Sequence, residues 1–117
     1  MTAGFYDWTF EQGSTVTLTL IYKDSEGVVV NLTGYTARLQ IRPFKRSDVL
    51  LLEATIANGR LVITPAEGKI VVTCPPLVST ALGNYPSAVY DLEIESSAGV
   101  VTRLLEGNVI HSQEVTR

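Results

Sequence analysis

The sequence predicts an all-β protein, and three observations carry this prediction. Runs of about four to eight residues alternate between apolar and polar side chains, which is the pattern of half-buried strands. Turn-forming Gly, Asn, Pro and Ser separate these runs at intervals of about 8–12 residues. No long stretch of helical period interrupts them. We therefore expect an Ig-like antiparallel β-sandwich of about seven to nine short strands with at most one short helical turn, although the Cys…Trp…Cys spacing of a true immunoglobulin domain is missing.

The clearest strand pair lies near the C-terminus. Tyr90, Leu92 and Ile94 alternate with acidic residues, so one face of this strand is apolar and the other is acidic. A Ser-Ser-Ala-Gly turn at residues 96–99 follows and leads into a return strand. Arg103 on that return strand is a candidate partner for the acidic face.

The other predicted strands are alternating or apolar runs bounded by turn residues. They cover residues 15–22, 35–42, 50–56, 60–63 and 69–73. Asn58-Gly59 lies between two of these runs, and because both residues tolerate positive φ, the pair predicts a hairpin. Residues 77–82 are the candidate for one short helical turn, since their length cannot support a stable isolated helix.

Length and composition indicate a single domain. The chain has 117 residues and is treated as one domain over residues 1–117, and its 45% hydrophobic content argues against disorder. The net charge of −3 and the lack of a basic run argue against a nucleic-acid partner. No run approaches the roughly 18 apolar residues of a membrane span, and the N-terminus lacks a secretory signal pattern. We expect a protein made in a cytoplasm, with neither nucleic acid nor membrane as partner.

The residues that most often carry chemistry form no catalytic or metal-binding pattern. Cys74 is the single cysteine, and its apolar setting predicts a buried structural thiol. His111 is the single histidine and has no nucleophile motif to serve. Asp91, Glu93 and Glu95 lie on one strand face about 7 Å apart, which favours a solvated or interface face over the opposed carboxylates of a glycosidase. We expect no enzyme activity, no catalytic residues, no cofactor and no metal.

The aromatic N-terminal segment has two interpretations. Alternation places Tyr6, Trp8 and Phe10 on one face, which favours a first strand that covers the core. Aromatic side chains near a terminus also favour an arm that docks on a neighbouring subunit. In the second interpretation residues 1–8 form the arm, and Phe5, Tyr6 and Trp8 are its interface residues.

Two further segments are candidate contact surfaces. The C-terminal tail, residues 112–117, lies outside the clear strands, and residues 43–49 form a loop of the kind that carries contacts on rigid scaffolds. The interface candidates on these segments are Lys45, Arg46, Asp48, Val115, Thr116 and Arg117. A free ligand-binding sandwich would instead expose aromatic residues around a groove, and Tyr6, Trp8 and Tyr35 exposed together would favour it.

Several segments along the whole chain carry a family resemblance. They are Thr9–Leu18, Asn31–Arg42, Gly68–Val72, Tyr90–Glu93, Val101–Gly107 and Glu114–Arg117. In this order they resemble the LtfC-like β-sandwich family of small phage virion proteins. The Leu32-Thr33-Gly34 turn and the late Gly83-Asn84-Tyr85 are also similar to the Ig-like N-terminal domain of phage upper baseplate proteins.

This resemblance implies a non-enzymatic bacteriophage virion structural protein, made in the host bacterial cytoplasm and present in multiple symmetric copies. Its expected partners are other virion proteins of the tail, neck, baseplate, fibre or capsid. The expected role is an assembly or adaptor module that attaches fibres or neighbouring proteins. A capsid decoration (cement) protein is the alternative within this class, and a carbohydrate- or ligand-binding β-sandwich is the alternative outside it.

Overall fold

Two packed β-sheets form the protein in a computed structural model that describes residues 4–76 and 88–112. Within these ranges there are nine strands and a single 3₁₀ turn, Pro65–Glu67. The strands are β1 (Gly4–Phe5), β2 (Trp8–Glu11), β3 (Val16–Ile21), β4 (Thr36–Arg42), β5 (Leu52–Thr55), β6 (Leu61–Thr64), β7 (Lys69–Cys74), β8 (Ala88–Glu95) and β9 (Val101–Ser112). The predicted all-β sandwich is confirmed. The segment 77–82, the candidate helical turn, lies outside the described residues.

The larger sheet has six strands and contains the C-terminal hairpin at its centre. Its order is β1-β9-β8-β4-β5, and β2 also pairs with β9. The smaller sheet has three strands in the order β3-β7-β6. Every pairing is antiparallel except those of β1 and β2 with β9, which are parallel. The predicted antiparallel arrangement therefore holds for every pair except those at the N-terminal edge.

The core lies between the sheets and consists mainly of the apolar residues that alternate with polar ones along the strands. On β8, Tyr90, Leu92 and Ile94 are buried, and on β4, Leu39 and Ile41 are fully buried. The smaller sheet contributes its own alternate residues from β3, β6 and β7, among them Leu18, Leu61, Ile70 and Val72. Cys74 is also fully buried, and burial raises its pKa to about 12, as expected for a structural thiol.

A β-bulge interrupts the register between β8 and β9. Leu92 is opposite Leu105, but the next residue, Glu93, is opposite Arg103. Leu104 is thus the extra residue on β9, and both Leu104 and Leu105 are buried. Beyond the bulge, alternate residues of β9 again face outward.

The Asn58-Gly59 pair does not form the predicted hairpin. The strand before it, β5, belongs to the larger sheet, and the strand after it, β6, belongs to the smaller sheet. Only Gly59 has positive φ, at 77°, and its N–H donates to the carbonyl of Ile56 at 3.2 Å. The Asn58 side chain instead accepts the N–H groups of Thr55 and Arg60, both at 3.0 Å. The pair therefore turns the chain from one sheet to the other.

The first strands belong to the sandwich. Trp8 and Phe10 on β2 are 3% and 1% exposed, with ring centroids 4.4 Å apart. Tyr6 does not share their face: it lies in the break between β1 and β2 and is 51% exposed. Residues 4–8 are therefore not a free arm, and Trp8 is a core residue rather than an interface anchor, because its indole fills the space between the sheets beside Phe10.

Candidate interaction site

The outer face of the larger sheet carries a continuous row of side chains that crosses five strands. Glu53 on β5 is opposite Gln40 on β4, and Gln40 is opposite Asp91 on β8. Asp91 is opposite Glu106 on β9, and Glu106 is opposite Phe5 on β1. On β5, β4, β8 and β9 the neighbours of these residues along the strand are buried, so strand alternation directs Glu53, Gln40, Asp91 and Glu106 outward, and Phe5 is exposed at the end of the row.

A shallow cleft of about 200 Å³ lies over this row. Its lining combines the N-terminal edge, the outer face of the central strands and the loop after β4. The residues that matter for its chemistry are Phe5, Gln40, Lys45, Asp91, Arg103 and Glu106. Two of the interface residues predicted from sequence, Phe5 and Lys45, are thus brought to the same cleft from distant parts of the chain.

The charges around the cleft compensate one another. Arg103 lies between two carboxylates, with Nε 3.6 Å from Asp91 Oδ2 and Nη1 3.2 Å from Glu106 Oε2. Lys45 Nζ lies 3.7 Å from the other oxygen of Glu106. The predicted pairing of Arg103 with the acidic face is confirmed for Asp91. Because these side chains are partly exposed, each ion pair adds only about 0.2–1 kcal/mol of stability, and the network mainly fixes the shape of the cleft.

Asp91 is the member of this network whose pKa is shifted. Burial raises its pKa above the ordinary range of a carboxyl, and the negative charges of Glu93 and Glu106 raise it further. The cation of Arg103 acts in the opposite direction without cancelling them. No nucleophile–base pair accompanies Asp91 among the side chains that line the cleft. Across residues 4–76 and 88–112, no group of three or more His, Cys, Asp and Glu side chains could hold a metal ion.

Three contacts fix the N-terminal segment beside this cleft. The N–H of Tyr6 donates to the carbonyl of Glu106 at 2.9 Å, and the hydroxyl of Tyr90 donates to the carbonyl of Tyr6 at 2.6 Å. The Asp7 carboxylate accepts the backbone N–H of Asn108 at 3.3 Å. Burial, with a smaller electrostatic effect of Tyr6, raises the pKa of Tyr90, so its hydroxyl keeps the donated proton at neutral pH. The side chains of Phe5 and Tyr6 therefore project from a backbone that is held in place.

Gly107 allows this close approach. A Cβ added at Gly107 would overlap the carbonyl of Tyr6, so any larger residue would displace the segment. From sequence, Gly107 was interpreted as a turn glycine, and this was wrong, because it lies inside β9. A glycine inside a strand signals close backbone approach, and that signal was available in the sequence.

The loop after β4 is ordered by its own side chains. Arg42 Nη1 donates to the carbonyl of Ser47 at 3.0 Å, and the buried Ser47 hydroxyl accepts the N–H of Val49 at 3.0 Å. This arrangement leaves Arg46 and Asp48 exposed, as predicted for a contact loop. It also exposes Phe44, at 61%, which sequence reasoning did not select although it follows a strand-ending proline.

A second, more apolar depression of about 480 Å³ lies at the opposite end of the larger sheet. Exposed Ile56 and Val101 border it, together with the Arg38–Glu93 ion pair at 3.4 Å. Sequence reasoning missed this depression because it forms where the ends of four strands meet, and strand order was unknown.

Of the other predicted contact residues, Tyr6, Trp8, Arg46 and Asp48 line neither depression. Val115, Thr116 and Arg117 lie outside the described residues. The aromatic groove that would favour a ligand-binding sandwich does not form from the expected residues, since Trp8 is buried and Tyr35 packs partly against the core. His111 is the penultimate residue of β9 and is opposite Phe10 of β2.

Comparison with known proteins assigns this chain to no family. No protein-family model and no curated protein sequence matches this chain. Over the part of the chain that the structure describes, no helix has the length and apolar character needed to cross a membrane.

Proposed function

We propose that this chain is a non-enzymatic structural protein of a bacteriophage virion, an assembly or adaptor module of the tail, neck or baseplate. The proposal combines the family resemblance carried by the ordered segments of the sequence with the surface that the fold presents. Its expected partners are a fibre or another virion protein, and it acts by holding one protein against another rather than by chemistry.

The observation that carries the proposal is that Phe5 and Tyr6 expose their side chains from a backbone that is held in place. These side chains are 68% and 51% exposed, yet their backbone is paired with β9 and fixed by the hydroxyl of Tyr90. Exposed aromatic side chains on a rigid backbone lose little conformational entropy when a partner covers them, which makes them effective anchors. The compensated charges of Lys45, Arg103 and Glu106 beside them supply the polar rim that protein interfaces usually have.

The test is the location of the chain in a particle. Cryo-electron microscopy of virions that contain the protein should show it at the tail, neck or baseplate, with Phe5 and Tyr6 covered by another protein. Density on the capsid lattice would assign the cement role instead. Absence from every particle would overturn the virion proposal and favour a free binding domain.

A variant pair tests the surface itself. Replacing Phe5 and Tyr6 by alanine should reduce incorporation into particles at least tenfold without unfolding the protein, because the contacts that fix the segment are made by the backbone. Val62→Ala is the matched control, since Val62 is 57% exposed on the smaller sheet, away from the cleft. Equal incorporation of both variants would show that the partner binds elsewhere.

A further inference from the structure

The outer edge of β3 is unpaired among the described strands. In an antiparallel ladder, alternate residues bond to one neighbour, and the residues between them direct their N–H and C=O groups the other way. The N–H of Tyr22 donates to the carbonyl of Gly68 at 2.8 Å, just beyond the pairing of Ile21 with Lys69. Because the alternation continues along the strand, Thr17, Thr19 and Ile21 direct their backbone groups away from β7. We call these groups the β3 edge.

The other side of β7 supports the same assignment. The N–H of Thr73 donates to the carbonyl of Arg60 at 2.8 Å, next to the pairing of β6 with β7. Thr73, Val71 and Lys69 therefore bond to β6, which leaves the intervening residues of β7 to bond to β3. The even-numbered residues of β3 face those intervening residues in the register. Two independent hydrogen bonds, those of the Tyr22 and Thr73 N–H groups, therefore indicate that the odd-numbered residues of β3 direct their backbone groups to the β3 edge.

The β3 edge lacks the devices that usually block edge pairing. Proteins protect exposed edges with charges, prolines, bulges or covering segments. Residues 16–21 contain no charge and no proline, and their register with β7 runs without a shift. The edge of β5 is different, because the Asn58 side-chain amide donates to the carbonyl of Glu53 at 2.8 Å and accepts the N–H of Thr55. Within residues 4–76 and 88–112, no such side-chain bonds or paired strand cover the β3 edge.

We propose that the β3 edge pairs with the β3 edge of a second copy of this chain, antiparallel and about a two-fold axis at Thr19. In this register Thr19 is opposite Thr19 of the second copy, and Thr17 is opposite its Ile21. All of these residues carry outward-directed backbone groups, so each opposed pair can exchange both hydrogen bonds. The two three-stranded sheets would then form one continuous sheet.

Side-chain direction and charge favour a second copy over an unrelated strand. The register keeps Leu18 and Leu20 on the core side of both copies and the threonines on the outer side, so the core face runs on without a break. A residue on a two-fold axis is opposite the same residue of the second copy, so a charge at that position would face a like charge. Thr19 is uncharged, and threonine pairs suit exposed cross-strand positions. Val71 and Val62 continue this β-branched outer face on the neighbouring strands.

The test measures self-association of the purified full chain. Sedimentation equilibrium over a range of concentrations should show a monomer–dimer equilibrium. Thr19→Lys places two ammonium groups opposite each other and should weaken the dimer about five- to tenfold. Val62→Lys is the matched control, because it adds the same charge to the same outer face but on β6, the edge strand at the opposite side of this sheet. It should leave the dimer unchanged.

Hydrogen exchange gives a second readout that does not depend on a variant. The amides of Thr17, Thr19 and Ile21 should exchange rapidly in dilute protein and slow down at concentrations where the dimer forms. The amides of Leu18 and Leu20 should be protected in both conditions, because they bond to β7. A chain that stays monomeric, or a dimer that Val62→Lys weakens as much as Thr19→Lys, would overturn the proposal. The proposal does not depend on a role in a virion, so it can fail while the virion proposal stands.

Discussion

Trp8 decides whether the N-terminal segment belongs to the core or to a partner. Its side chain is 3% exposed, and its ring centroid lies 5.5 Å from that of Tyr90. Burying an indole removes about 200 Å² from water, which at about 25 cal/mol per Å² contributes about 5 kcal/mol. We therefore expect Trp8→Ala to lower the free energy of unfolding by about 3–5 kcal/mol. Phe5→Ala is the matched variant, and because Phe5 is 68% exposed, we expect a loss below about 1 kcal/mol.

Urea unfolding followed by far-ultraviolet circular dichroism measures both variants. Fluorescence is unsuitable because Trp8 is the single tryptophan. A small domain has a free energy of unfolding of about 5–15 kcal/mol, so the Trp8 variant should be marginally stable while the Phe5 variant resembles the wild type. If both variants lost less than about 1 kcal/mol, Trp8 would not be a core residue. The interpretation of the segment as an arm would then be correct.

Three further predictions follow from the N-terminal segment, the core and the charged face. Gly107→Ala should lower the free energy of unfolding by about 1–3 kcal/mol, because the added methyl group meets the carbonyl of Tyr6; Gly4→Ala makes only ordinary contacts and is the control in the same urea titration. Cys74, with its pKa raised to about 12, should react with a thiol reagent at pH 8 only after urea unfolds the chain, and rapid reaction of the native protein would contradict its burial. Asp91→Asn should raise the urea midpoint at neutral pH, because the folded-state pKa of Asp91 is raised and its charged form is therefore disfavoured in the fold. This gain should shrink as the pH falls through the pKa of Asp91, and a gain that is independent of pH would contradict the assignment.

The strands that the sequence predicted well are those whose two faces meet different environments. On β4 and β8 one face meets the core and the other meets water, so Leu39, Ile41, Leu92 and their neighbours alternate with polar residues, with Val89 as the exception. Such alternation follows directly from the burial of one face, so it can be interpreted without knowing the partner strand. The same reasoning located β3 and β7 within about a residue of their observed bounds.

The features that the sequence did not predict depend on which strands become neighbours. Asn58-Gly59 is compatible with a hairpin or with a turn between sheets, and only the pairing of β5 with β4 excludes the hairpin. Leu104 and Leu105 break the alternation of β9, and the bulge opposite Leu92 explains why both can be buried. The parallel pairing of β1 and β2 with β9 is equally a long-range fact, because it joins the two ends of the described chain.

The candidate site was predictable only in part for the same reason. Phe5 and Lys45 were selected as exposed residues of a terminus and a loop, but nothing local indicates that both reach one cleft. Their meeting depends on the register that places Phe5 opposite Glu106, and on the ion pair that joins Glu106 to Lys45. A residue's type can therefore indicate that it contacts a partner, while the sheet order decides which residues contact the same partner.

The two sheets offer different kinds of contact, and this allows their roles to be separated by experiment. The larger sheet presents aromatic side chains beside charges that are already paired, which suits a partner of specific shape. The smaller sheet presents backbone groups at the β3 edge that no other described strand pairs with, and these suit another strand. Because Thr19 and Phe5 lie on different sheets, Thr19→Lys should weaken pairing between copies without altering the cleft. If this variant still enters particles while the Phe5 and Tyr6 variant does not, attachment to the partner does not require pairing of the copies.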